Sequence, residues 1–287
     1  MDNCRFIVGD AAEKLKELPL DSIDLTVTSP PYDNLRTYNG YGFDFETIAR
    51  ELYRVTTKGG VVVWVVGDQT RNGTESGTSF RQALFFKSLG FNLHDTMIYA
   101  SEKPPLTHNR YEQKFEYMFV FSKGKPKTFH PIMEACKYAG GSSIGTIRQT
   151  AEGTLEKAHA PGKIKDFKIR GNIWSYRTGP SSSNDKEAFE HPAIFPEQLV
   201  EDHINSWSNP GDTVLDPMLG SGTTGKMAIK LSRKFVGIEL SPEYMELAKA
   251  RIARYAAVET PEAIADFLNE PTDPPSLDQS QPEPTVE

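Results

Sequence analysis

An α/β fold with a largely parallel sheet covered on both faces is what this chain predicts, and three observations carry that prediction. Val61-Val62-Val63-Trp64-Val65-Val66 is almost continuously apolar and β-branched, the composition of a strand buried on both sides. Shorter runs of the same kind, Ile23-Asp24-Leu25-Thr26-Val27 and Phe235-Val236-Gly237-Ile238-Glu239 among them, lead into loops or carboxylates and alternate with amphipathic helical patterns. At 287 residues the chain can bury one large core carrying an insertion, or two small ones.

In order, Arg5-Phe6-Ile7-Val8-Gly9-Asp10 reads as a strand, and 11–18 as a short helix that Asp10 can cap. The strand at 23–27 runs into Thr28-Ser29-Pro30-Pro31-Tyr32, which places that motif at a strand's C-terminal end, the edge where open α/β sheets bind ligands. The stretch 33–42 is too polar for core and too aromatic for a simple linker. It reads as a loop closing over a bound molecule, with Arg36 and Tyr38 as contacts. A helix over 45–55 stops at Lys58-Gly59-Gly60, the central parallel strand 61–66 ends in Gly67-Asp68, and a further helix covers 80–89. Runs 91–100 and 117–121 predict an antiparallel pair completing the sheet. Glycines and prolines then break every helical pattern of core length as far as Asn172. Order returns at 171–176, Pro196 opens a helix, 212–217 is a strand entering a glycine loop, and helices follow over 223–231 and from Ser241 to about Tyr255.

The net charge of −7 argues against a nucleic-acid partner until its distribution is read. Residues 259–287 hold eight Asp or Glu and no Lys or Arg, so the remainder carries −7 − (−8) = +1. Between Lys123 and Arg170, ten basic residues stand against four acidic ones, a local +6 suited to phosphates. Cys4 and Cys136 are too few for a disulfide framework, and no Cys/His spacing suits a metal, so none is expected. No apolar run approaches the ~18 residues of a membrane span, and Met1-Asp2-Asn3-Cys4-Arg5 lacks a signal pattern. A cytoplasmic protein is expected.

Pro30-Pro31 fixes two φ angles and withdraws two backbone donors, leaving carbonyls and the Ser29 hydroxyl as acceptors beside the Tyr32 ring. Such a site suits a flat molecule with an NH2 group, as a flipped nucleobase is. Gly220 and Gly222 allow a ligand close to the backbone, the helix start at Thr223 offers N–H groups, and Glu239, about twenty residues beyond the loop, suits ribose hydroxyls. A phosphate loop is disfavoured, because Lys226 follows Thr223-Thr224-Gly225 and no Gly-Lys-Ser/Thr stands at the required spacing.

Ser29-Pro30-Pro31-Tyr32, followed far downstream by Asp216-Pro217-Met218-Leu219-Gly220-Ser221-Gly222-Thr223-Thr224, resembles the exocyclic-amino DNA methyltransferases of bacteria and phages in their β arrangement, over about residues 4–256. The resemblance implies a Rossmann-like sheet with an inserted target-recognition region, S-adenosylmethionine as cofactor, duplex DNA as substrate and a homodimer. It makes Ser29, Pro30, Pro31 and Tyr32 catalytic, and Asp216, Pro217, Gly220, Ser221, Gly222, Thr223, Thr224 and Glu239 cofactor-binding. It adds Asp10 near the cofactor's adenine, and His191 and Phe195, in a His-Pro-Ala-x-Phe-Pro pattern, near its methionine end. Residues 1–122 are then the catalytic half, 123–172 the target-recognition region with Arg148 and Arg170 as DNA contacts, 173–257 the cofactor half, and 258–287 an acidic, mostly disordered tail.

Carbon-5 cytosine chemistry needs a Cys after Pro, and Cys4 follows Asn3 while Cys136 follows Ala135. A glutamine-methylating enzyme has Asn where Ser29 stands. RNA methylation and a catalytically silent DNA-binding regulator are the remaining alternatives. The acceptor is left undecided between N6 of adenine and N4 of cytosine.

Overall fold

The computed structural model describes residues 3–31, 43–101, 111–159, 161–176 and 195–258. One eight-stranded sheet organises them: β1 (Cys4–Val8), β2 (Ile23–Thr28), β3 (Thr56–Val66), β4 (Asn92–Ala100), β5 (Phe115–Ser122), β6 (Ile173–Ser175), β7 (Thr213–Asp216) and β8 (Lys234–Glu239). Their spatial order is β1-β8-β7-β2-β3-β5-β4-β6. Strand β5 runs antiparallel to β3 and β4, and every other neighbouring pair is parallel. The expected antiparallel pair is therefore β4 and β5. Strand β3, expected as a central parallel strand, pairs parallel with β2 on one side and antiparallel with β5 on the other.

Period-2 alternation explains the layering. Val61, Val63 and Val65 join one buried cluster with Leu199, Ile204, Met227, Ala248 and Ile252, whereas Val62, Trp64 and Val66 join another with Leu15, Leu52 and Phe86. Helices α1 (Ala11–Lys14), α2 (Phe45–Val55) and α3 (Thr78–Ser88) thus cover one face, and α4 (Glu197–Trp207), α5 (Thr223–Lys230) and α6 (Pro242–Val258) the other. Lys58-Gly59-Gly60, expected as a helix stop, lies inside β3. The helix ends at Val55, and the glycines mark a shift in the β2–β3 register, where Gly59 takes φ +80° and a Cβ on Gly60 would meet the Asp24 carbonyl at 3.0 Å.

The middle segment folds into three short ribbons: Met133–Ala135 with Phe167–Ile169, Ser142–Ser143 with Gly162–Lys163, and Thr146–Gln149 with Leu155–His159. Beyond them β6 re-enters the main sheet at its far edge, beside β4. Among the described residues, no group of His, Cys, Asp and Glu could hold a metal ion, and no helix is long and apolar enough to cross a membrane. The expectation for the acidic tail falls on residues outside those described.

Helix α5, which carries the glycine loop, sits close to β8 and α6 through Gly225, where a Cβ would lie 2.5 Å from Ile252 Cδ1 and 2.7 Å from the Phe235 ring. Gly225→Ala is expected to cost about 1–3 kcal/mol of stability by overpacking, read as a lower urea midpoint at unchanged slope.

Candidate active site

Because β1, β8, β7, β2 and β3 are parallel neighbours, their C-terminal ends share one edge. Along it stand, in order, Asp10 after β1, Glu239 ending β8, the 217–222 loop after β7, Ser29-Pro30-Pro31 after β2, and Asp68 beyond β3. With strands about 4.8 Å apart, this row spans about 19 Å. Val8 pairs with Glu239 and the Gly9 amide donates to the Glu239 carbonyl at 2.9 Å, so Asp10 and Glu239 leave the sheet side by side.

The two motifs that stand almost two hundred residues apart are joined through one carboxylate. Asp216, 3% exposed, accepts from Thr28 Oγ1 at 2.8 Å, from Thr224 Oγ1 at 2.7 Å and from the Met218 amide at 3.1 Å. Thr28 is the residue immediately before Ser29, and Thr224 lies in the first turn of α5. Thr28 was not singled out from sequence. Its strand also carries Asp24 and Thr26, so a polar residue at its end did not stand out.

Glu239 shapes the loop from the other side. Its Oε2 accepts from the Gly220 amide at 2.8 Å and its Oε1 from the Ser241 amide at 3.0 Å, and a carboxylate has lone pairs left for ligand hydroxyls. Asp10 caps α1, accepting from the Ala12 amide at 2.7 Å. Gly222 takes φ +84°, and a Cβ there would meet Ala248 Cβ at 2.8 Å, so close approach of α6 already requires glycine at this position. Ser221 is buried and its carbonyl accepts from Arg251; Arg251 and Lys226 both pair with Glu197, at 3.3 and 3.0 Å. This cluster ties the loop to the start of α4, next to the half-buried Phe195. Pattern reading missed Arg251 and Lys226 as members because a charge on an amphipathic helix looks solvated.

These features fit S-adenosylmethionine. Thr223 Oγ1, at the start of α5, is buried without a hydrogen-bond partner among the described residues, an orphan that a polar ligand satisfies. The carboxylates of Asp216 and Glu239 also stand on adjacent strand ends, which favours a cationic ligand.

Of the sequence-derived site residues, Tyr32, Arg36, Tyr38 and His191 lie outside the described residues. Pro30 and Pro217 are buried, and Ser29 and Pro31 half-buried. Arg148 is exposed on a ribbon, opposite Glu156. Arg170 instead faces protein: it donates to Asp202 Oδ2 at 3.1 Å and lies 4.9 Å over the Trp174 ring. A stacked, partly desolvated ion pair holds a guanidinium better than solvent does, so Arg170 fastens the end of the middle segment to α4. Tyr176 donates to the same carboxylate oxygen at 2.7 Å.

Burial pushes the Asp216 carboxyl up to about 6, against the hydrogen bonds from Thr224, Thr28 and Met218 and with the Glu239 charge adding to the rise. The folded protein therefore holds this proton more tightly than the unfolded chain, and the resulting stability is present at low pH and lost as pH rises from the ordinary carboxyl range through about 6. Wild type should lose about 1–2 kcal/mol relative to Asp216→Asn between pH 5 and 8, measured by urea unfolding of both proteins.

The DNA methylase family model N6_N4_Mtase matches residues 23–250. The orphan methyltransferase M.BamHII of Bacillus amyloliquefaciens is 56% identical over 238 residues, covering 82% of this chain and 90% of that protein. TTHA0409 of Thermus thermophilus, solved in complex with S-adenosyl-L-methionine, superposes with a TM-score of 0.56 at 28% identity, covering 88% of this chain and 95% of that one. The PvuII DNA methyltransferase, which is cytosine-N4-specific, shares the fold at a TM-score of 0.63 and 21% identity, with 89% and 92% covered. The chain belongs to the N6/N4 family of DNA methylases, the S-adenosylmethionine-dependent amino-methyltransferases of DNA.

Proposed function

We propose that this chain methylates the exocyclic amine of a flipped base, N6 of adenine or N4 of cytosine, at a specific site in duplex DNA. The observation that carries the reading is the Thr28–Asp216–Thr224 connection, which seats Ser29-Pro30-Pro31 against the glycine loop on adjacent strand ends. Bound S-adenosylmethionine supplies an electrophilic methyl group on a sulfonium.

The chain's own residues have two tasks. The first is to hold the cofactor: Glu239 at the ribose, Asp10 toward the adenine, the 217–224 loop and α5 start along the methionine part, with Phe195 and His191 packed over it. The second is to prepare the base. An exocyclic amine is a poor nucleophile because its lone pair is delocalised into the ring. Accepting its two N–H bonds at Ser29 Oγ and the Pro30 carbonyl favours a tetrahedral nitrogen and frees that lone pair. Tyr32 stacks on the ring. Positioning supplies much of the acceleration, and the extra proton leaves to solvent once the nitrogen is alkylated and acidic.

Residues 1–122 form the catalytic half, 123–172 the target-recognition region and 173–257 the cofactor half in this reading. Exposed Arg148 and its basic neighbours grip phosphates. The protein works in the cytoplasm, where the DNA lies, as a homodimer.

Nucleoside mass spectrometry on DNA from a methylation-deficient host expressing the protein tests the reading. N6-methyladenine or N4-methylcytosine is expected. Absence of both from DNA, with S-adenosylmethionine binding intact, would overturn it.

A further inference from the structure

Along the edge that carries the site, the cofactor motifs occupy β1, β8 and β7, and the catalytic loop leaves β2. Next along the same row stands the end of β3. Strand β3 does not pass directly into α3 there. It first builds an exposed antiparallel hairpin, Thr70–Arg71 with Thr74–Glu75.

The hairpin is held in a defined shape. Asn72 and Gly73 take φ of 49° and 79°, the pair of left-handed residues that a tight two-residue turn needs. Its base closes through the Ser76 amide to the Gln69 carbonyl at 2.8 Å. Asp68 bolts the base to the start of α3, accepting from Ser76 Oγ at 3.0 Å, from the Ser79 amide at 3.0 Å and from Ser79 Oγ. Arg81 adds two more bonds, to the Ser76 carbonyl and Thr78 Oγ1, both at 2.8 Å. Yet residues 70–75 are all exposed, and a Cβ on Gly73 would meet nothing within 4 Å. This anchored ribbon carries no apolar side chain and adds no member to either buried cluster. Thr70, Arg71, Asn72 and Thr74 present hydrogen-bonding side chains, and Glu75, opposite Thr70, is its one acid beside the one base Arg71.

We infer that this 70–75 hairpin is a DNA-contacting element, docking in a groove of the duplex beside the extruded base with Arg71 as its principal contact. A two-stranded ribbon fits the major groove, and guanidinium and amide groups are the ones that read base edges there. The inference rests on the amino-methyltransferase reading above and adds a second DNA contact, separate from the basic middle segment.

The test uses the full chain, as wild type, Arg71→Ala and Arg71→Lys, acting on plasmid DNA from a methylation-deficient host. Steady-state transfer of a labelled methyl group gives KM for DNA and kcat, while calorimetry gives the affinity for S-adenosylmethionine. For Arg71→Ala, KM for DNA should rise about tenfold, with cofactor affinity and Tm unchanged; Arg71→Lys should recover part of the loss if Arg71 lies on a phosphate and none if it reads a base, either result supporting contact. A KM within about twofold of wild type, or a matching loss of cofactor affinity and Tm, would overturn the inference. Should wild type transfer no methyl group at all, the activity reading fails on its own, and duplex affinity by fluorescence anisotropy still decides the hairpin: weaker binding by Arg71→Ala supports it, equal binding removes it.

Discussion

Asp216 lies 3% exposed between Thr28 and Thr224, and the site depends on that placement. A carboxylate taken out of water costs several kcal/mol unless donors replace the solvent. Here the two threonine hydroxyls and the Met218 amide replace it. Each threonine belongs to a different motif, so satisfying one buried charge fixes the catalytic loop and the cofactor loop relative to each other. Loss of either hydroxyl leaves the carboxylate short of a donor, which makes a misaligned arrangement costly.

The rest of the architecture keeps the Asp216 connection in register. Parallel pairing of β1, β8, β7, β2 and β3 brings every chemistry-bearing loop to one edge, and the order of strands becomes the order of tasks along it. The glycine loop is gripped three times: by Glu239 at Gly220, by Arg251 at the Ser221 carbonyl, and by the packing of Ala248 on Gly222. The Glu197–Lys226–Arg251 cluster then carries that order to α4, whose start follows Phe195-Pro196. Strand β5 runs antiparallel between β3 and β4 in the other half of the sheet, and the middle segment that follows it folds as separate ribbons.

Much of the fold was legible in the sequence because its signals are local. Val61 to Val66 announced a strand buried on both faces, and Thr223 and Pro196 announced helix starts through glycine and proline chemistry. Boundaries were less legible where tertiary pairing decides them, as at Lys58-Gly59-Gly60, whose glycines serve a register shift between β2 and β3. Residues that belong to a motif can be named from sequence, whereas those defined by a distant partner cannot. Thr28 matters because Asp216 lies across from it, and nothing in the sequence around Thr28 names residue 216. Arg170 shows the opposite failure: its setting in a basic segment suggested solvent and phosphate, and its neighbours Asp202 and Trp174 come from elsewhere in the chain or from the next strand.

A double-mutant cycle in the rate of methyl transfer, with Thr28→Val, Thr224→Val and the pair, tests most directly that one buried carboxylate joins the two motifs. Both threonines serving the same connection predicts strong non-additivity: the pair should lose little more than either single variant, a coupling of about 1 kcal/mol or more, with cofactor-free Tm measured alongside to exclude unfolding. Losses that simply add would contradict it, because each threonine would then act on its own loop.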